Sequence, residues 1–284
     1  MKLVSFETDG GHGFGAVDGD SVADLTAAFA GRAAGLRGLL AAGLLEEARA
    51  AAAGAPRRPL SGLRLLPVIP DPDKIICVGL NYRDHVAETG RTETANPALF
   101  ARFAGSQVGH GQPLVRPKVS ERFDYEGELA VVIGTGGRHI AEADALKHVA
   151  GYSCYNEGSV RDWQLHTSQY LAGKTFAGTG GFGPWMVTAD EIRDPSELTL
   201  ETRLNGQVVQ HTNTDLMITD VPRLIAYIST VLPLLPGDVI VSGTPGGVGA
   251  KRNPPLWMKP GDVAEVEISG IGILRNPVVQ EEWP

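Results

Sequence analysis

The chain has 284 residues, enough for one large domain or a large domain beside a small one. Hydrophobic residues make up 43% and charged residues 20%, and the 36 glycines and 19 prolines argue against a helical bundle and for a β-rich fold. A net charge of −8 and no basic run beyond Arg57-Arg58 argue against a duplex nucleic-acid binder, while leaving room for a small anionic substrate.

The opening stretch MKLVSFETDG lacks the apolar core of a signal peptide, and no apolar run reaches membrane-spanning length. The expectation is a cytoplasmic protein with no membrane partner, whose two cysteines, Cys77 and Cys154, are reduced core thiols. KLVSFE and FGAVDG read as two strands about a turn at Asp9-Gly10-Gly11. The Ala- and Leu-rich run from Ser21 to Gly54 reads as two helical segments. Residues 1–66 are therefore expected to form a small α/β cap and residues 67–284 the main domain.

In the main domain KIICVGLNY reads as a buried strand and RDHVAETG as a short helix ending at Gly90. Residues 91–113 mix glycine, proline and polar residues and read as a long mobile segment. ELAVVIG reads as a strand, and EADALKHVAGYSCYNEG as a helix entering a strand. LTLETRLNGQVVQHT reads as a hairpin with Asn205-Gly206 in a type I′ turn, and VPRLIAYISTVL as a helix with Pro222 near its start. GDVIVSGTPGGVG and GDVAEVEISGIGILRNPV read as strands with glycine-rich exits.

Three acidic residues stand out: Glu126 and Glu128 in FDYEGELAVVIG, and Glu157 in CYNEGSVRDWQ. Strand side chains alternate, so Glu126 and Glu128 point the same way. Two carboxylates on one face of a buried strand repel, so the face is open to water, or one group is protonated, or a cation sits between them. Three oxygen donors suit Mg²⁺ or Mn²⁺ better than zinc, because no His or Cys shares the spacing. A solvated strand face accounts equally well for the Glu126–Glu128 pair alone. His85 and Glu88 lie three apart on the expected helix, where a carboxylate can orient an imidazole for proton transfer; a plain surface pair has the same spacing. Lys174 and Gln164 are of a type that hydrogen-bonds a developing oxyanion. Arg161 could clamp a carboxylate or anchor its neighbour Asp162. The runs GTGGFG and GTPGGVG are not Walker loops, and there is no G-x-S-x-G.

Taken in order, KIICVGLNYRDHVAE, DYEGELAVVIG, GYSCYNEGSVRDWQ, GKTF, GPWMVTADEI, LNGQVVQHTNTDLM, LLPGDVIVSGTPGGVG and MKPGDVAEVEISGIGILRNPV resemble the fumarylacetoacetate hydrolase family, over about residues 70 to 280. The resemblance implies an α+β, β-rich fold: a mixed β-roll, in a homodimer, with the small N-terminal α/β cap of bacterial members. It implies Mg²⁺ or Mn²⁺ held by Glu126, Glu128 and Glu157, the last standing where the family has Asp. It implies His85 and Glu88 as a water-activating dyad on a lid spanning residues 81 to about 113. Lys174 and Gln164 would steady the enolate and the attacked carbonyl oxygen, Arg161 would support the site, and Thr244 would approach the substrate. Ala177 stands where many members carry Asp, which bears on the substrate's far-end pocket. The activity implied is metal-dependent hydrolysis of a C–C bond in a small anionic 2-oxo, acylpyruvate-like acid, in breakdown of aromatic or sugar-derived acids. Isomerisation of 2-hydroxydienedioates and oxaloacetate-type decarboxylation are alternatives on the same site. A metal-binding paralogue without catalysis is the alternative of another class.

Overall fold

Both faces are buried through the middle of Lys2–Thr8 (β1) and Gly11–Asp18 (β2), which pair antiparallel from Lys2↔Val17 to Thr8↔Gly11 about the expected turn. The computed structural model describes residues 1–282, so the last two residues of the expected main domain lie outside the described residues. Helix does not begin at Ser21 as expected. Ser21–Asp24 (β3) pairs with β2, because Val22 and Ala23 fill the core there and Asp24 turns the chain by accepting from the Thr26 amide. Helix is confined to Leu36–Ala41 (α1) and Leu45–Ala52 (α2), and Arg57–Pro59 (β4) then pairs with β3.

Ile75–Gly79 (β5) is buried, and Arg83–Thr89 (α3) ends at Gly90 as expected. The segment expected to be mobile is largely strand: Ala98–Arg102 (β6) pairs with β5, and Gln107–Val108 (β7) pairs with a later strand. Residues 98–102 and 107–108 of the expected lid are thus held in a sheet by backbone hydrogen bonds. Leu114–Arg116 (β8), Phe123–Asp124 (β9), Gly127–Ile133 (β10) and Val149–Glu157 (β11) follow; β10 and β11 are buried along their whole length. The helix expected before β11 is a 3₁₀ segment, Glu142–His148. Next come Ser159–Val160 (β12), Arg161–Gln164 (α4), Leu171–Lys174 (α5) and Gly180–Thr188 (β13). Thr199–Leu204 (β14) and Gln207–Asn213 (β15) form the expected hairpin, with φ of 54° at Asn205 and 78° at Gly206, as a type I′ turn requires. Val221–Val231 (α6) is capped by Asp220 and precedes Val239–Val241 (β16), Val263–Ile268 (β17) and Gly272–Gln280 (β18).

The result is the mixed, β-rich α+β fold expected. The large sheet runs β4-β3-β2-β1-β13-β11-β10-β16-β5-β6, with β7 on β13, and a second sheet runs β15-β14-β17-β18-β8. β16 is parallel to β5 and antiparallel to β10. Residues 1–66 join the main domain through β1 on β13, Leu3 lying opposite Met186. They also share its core, where Leu3, Phe14 and Leu36 pack in one cluster with Ile75, Val132 and Val241. These directions bring the ends of β5, β11 and β16 beside the start of β10, which gathers the functional side chains at one edge.

Candidate active site

Glu128 sits on β10 opposite Tyr155, and Glu157 closes β11 next to Asn156, the partner of Gly127. Glu126 precedes β10, and its carbonyl accepts from the Glu157 amide at 2.8 Å. The antiparallel register therefore brings Glu157 beside Glu126 and Glu128, which lie 31 and 29 positions before it in sequence. Carboxylate oxygens of all three lie within 4.8 Å of one another, and each residue is at most 3% exposed. The solvated strand face is ruled out.

Two cations reach into the cluster. Lys174 Nζ contacts Glu126 and donates to Glu157 Oε2 at 2.7 Å. Arg161 donates to Glu126 Oε1 at 2.7 Å and to Asp124 Oδ2 at 2.8 Å. Burial works to raise the Glu126 pKa, but Arg161 and Lys174 outweigh it and hold this carboxyl well below its ordinary range. Glu128 goes the other way: burial pushes it well up, and the charges of Glu157 and Glu126 add to the push, although the Gly243 amide donates to it at 2.5 Å. Burial opposes the Lys174 charge, yet Glu126 and Glu157 keep its ammonium above the usual range. An all-oxygen donor set of three buried carboxylates, clustered within 4.8 Å, fits a hard divalent cation.

The other expected residues line the same cavity, of about 660 Å³: His85, Arg161, Gln164, Lys174 and Thr244. His85 Nδ1 lies 2.7 Å from Glu88 Oε1, with the ring 6% exposed, so the pair is not a plain surface contact. Glu88 Oε2 accepts from the Gly247 amide at 2.9 Å, and Asp84 accepts from Gly246 at 3.0 Å. Through these bonds α3 is docked on the turn 243–249. Gly243 and Gly247 have φ of 105° and 99°, which only glycine adopts without strain. Thr244 donates to the Gly127 carbonyl at 3.0 Å.

Arg161 does not anchor Asp162. Adjacent helical residues point apart, so Arg161 bonds Asp124, Glu126 and Gln164 while Asp162 accepts from Ser120. Ala177 is exposed and outside the cavity, so the far wall is built from other residues. That wall carries groups the sequence did not single out: Arg91, Arg122 and Lys251 at the rim, and Phe100, Tyr170 and Trp257. Their residue types gave no signal, because only the tertiary fold collects them. Asp124 was also missed, although it directly precedes the Tyr125-Glu126 pair. It is fully buried and accepts from the Gly249 and Ala250 amides.

The model of the family described as "Fumarylacetoacetate (FAA) hydrolase C-terminal" matches residues 74–279. The human protein named oxaloacetate tautomerase FAHD2A, mitochondrial, is 44% identical over 233 residues, which are 81% of this chain and 74% of that one. The crystal structure of a putative HpcE protein from Mycobacterium smegmatis is 36% identical with a TM-score of 0.89, over 99% of this chain and 100% of that one. A maleylpyruvate hydrolase from Sphingobium sp. SYK-6, solved with manganese(II) and pyruvate, is 33% identical with a TM-score of 0.83, over 99% and 100%. Among the described residues no helix is long and apolar enough to cross a membrane, and the mitochondrial placement in the human relative's name does not match a plain cytoplasmic expectation.

Proposed function

The chain belongs to the fumarylacetoacetate hydrolase family of enzymes, and from that premise we propose that it interconverts the enol and keto forms of a small 2-oxo dicarboxylate of the oxaloacetate type. The observation that carries this is the convergence, in one cavity, of His85, bonded from behind by Glu88, with the buried Glu126, Glu128 and Glu157. Mg²⁺ or Mn²⁺ held by the three carboxylates would supply Lewis-acid polarisation of the 2-oxo acid's oxygens. His85 has Nδ1 committed to Glu88, which leaves Nε2 to take the proton from the carbon beside the ketone and pass it to the ketone oxygen, giving the enol, or to carry it back the other way. Glu88 stabilises the imidazolium that forms in between. Gln164 accepts from Arg161 through Oε1 at 2.9 Å, so its amide nitrogen is the end free to donate. With the Lys174 ammonium it would steady the oxygen on which charge grows. Arg91, Arg122 and Lys251 would draw the distal carboxylate to the rim.

C–C hydrolysis of a longer acylpyruvate is the second reading. It is favoured by the cavity, whose 660 Å³ leaves room beyond a four-carbon acid. His85 would then take its proton from water, and the oxygen developing on the distal carbonyl would face Lys174 and Gln164. Enol absorbance and pyruvate release separate the readings, measured for oxaloacetate and for an acylpyruvate with Mn²⁺ and with EDTA. Faster, EDTA-sensitive loss of oxaloacetate enol without pyruvate is the expected result. Pyruvate from the acylpyruvate alone would install hydrolysis in its place, and pyruvate from oxaloacetate would mean decarboxylation. Turnover indifferent to EDTA would remove the metal. Assembly as a homodimer is part of the proposal, and sedimentation equilibrium should return twice the 30.0 kDa chain mass.

A further inference from the structure

We propose that Arg102 is a positioning residue for Glu157. It holds one carboxylate oxygen away from the shared metal seat, so that Glu157 offers a single oxygen and the centre favours Mg²⁺ over Ca²⁺. The inference rests on the metal reading of the three-carboxylate cluster.

Arg102 ends β6 with its side chain wholly out of solvent. Its socket is built. Nε donates to Ser106 Oγ at 3.4 Å, Nη1 to the Gly158 carbonyl at 3.1 Å and Nη2 to Thr179 Oγ1 at 2.7 Å. The Ser106 and Thr179 hydroxyls spend their own protons on the Phe103 and Phe176 carbonyls, which leaves their lone pairs to the guanidinium. Gly180 leaves space for it: a Cβ there would meet Nη2 at 2.9 Å. All three acceptors are neutral, and a buried cation without a countercharge is strongly disfavoured. The countercharge is Glu157, whose Oε1 lies 4.0 Å from Nη1. That separation exceeds a hydrogen bond, but between two groups this deeply buried the attraction is poorly screened.

The two oxygens of Glu157 therefore face different cations. Oε2 meets Lys174, which also contacts Glu126, a second member of the cluster. Oε1 faces Arg102 and has no hydrogen-bond partner. Ca²⁺ takes six to eight oxygens and readily uses both oxygens of a carboxylate, whereas Mg²⁺ demands an octahedron. A carboxylate restricted to one oxygen disfavours the larger ion.

The test is displacement of bound Mn²⁺ by Mg²⁺ and by Ca²⁺, followed by the electron paramagnetic resonance of released Mn²⁺. The protein is compared with Arg102→Gln and Thr179→Val. Loss of a positive charge acts alike on both divalent ions, so the ratio of their affinities isolates positioning from electrostatics. The unsubstituted protein should prefer Mg²⁺, and Arg102→Gln should move the ratio toward Ca²⁺ by about tenfold, at the low end of what outer-shell partners of metal ligands control. Mn²⁺ binding with an unchanged ratio overturns the role of Arg102 and leaves the metal reading standing. Absence of Mn²⁺ binding by the unsubstituted protein overturns both. Should Arg102→Gln fail to fold, Thr179→Val, which frees Nη2 but keeps the charge, must shift the ratio the same way by a smaller factor. No shift there, or a preference for Ca²⁺ in the unsubstituted protein, also overturns the proposal.

Discussion

Glu88 uses its two oxygens for separate tasks, one on His85 and one on the Gly247 amide. Glu88→Gln offers a single carbonyl oxygen for both and no charge to stabilise an imidazolium. Turnover should fall by about 10²- to 10³-fold, within the range of general acid–base catalysis. Mn²⁺ affinity should stay within about twofold; calorimetric titration of Mn²⁺ beside kcat checks the split, and a parallel loss would place Glu88 in the metal seat instead. At this scale the sequence was informative where chemistry is written in residue type. Glu126, Glu128, Glu157, His85, Gln164 and Lys174 all reach one cavity. It was silent on Arg102, because nothing in LFARF distinguishes a buried arginine from an exposed one. It left Arg161 between clamping a carboxylate and anchoring Asp162; the carboxylates it bonds are Asp124, 37 positions away, and Glu126.

Two short helices set the spacing of the groups that would meet substrate. α4 carries Gln164, α5 carries Lys174, and Gly173 lets them touch: a Cβ at Gly173 would lie 2.3 Å from the Gln164 nitrogen. Backbone cannot yield as a flexible side chain would. Gly173→Ala should push the two helices apart and lower kcat by at least about tenfold, since misplacement of roughly an ångström can cost 10²-fold. Steady-state kinetics with a melting curve measures it, and a variant with unchanged kcat would show that this contact does not set catalytic geometry. Strands with continuous apolar runs, such as β10, and the Asn205-Gly206 hairpin were legible because their patterns are local. β3 and β6 were not. Ser21–Asp24 is embedded in alanine-rich sequence, and β6 ends on an arginine that is buried only because β5, β11 and β13 surround its head group.

At the scale of the whole molecule, the first 66 residues read as a separate cap, yet β1 extends the large sheet at β13 and its apolar face enters the common core. Sequence periodicity reports which face of a strand is buried, not which strand lies beside it, so the junction was invisible. A chain of residues 67–284 would expose the β13 edge and lose the packing of Leu3, Phe14 and Leu36. Unpaired edges and apolar patches of that kind promote association. The truncated chain is expected in the insoluble fraction or as large aggregates on size exclusion. A soluble, cooperatively melting product would establish an independent main domain.

The turn 243–249 serves two parts of the site at once. Its Gly243 amide holds the carboxylate of Glu128, and its Gly247 amide, four residues on, holds Glu88. The three-carboxylate cluster and the His85–Glu88 pair thus stand on one short footing of backbone. A change in the path of this turn would therefore reach Glu128 and Glu88 together.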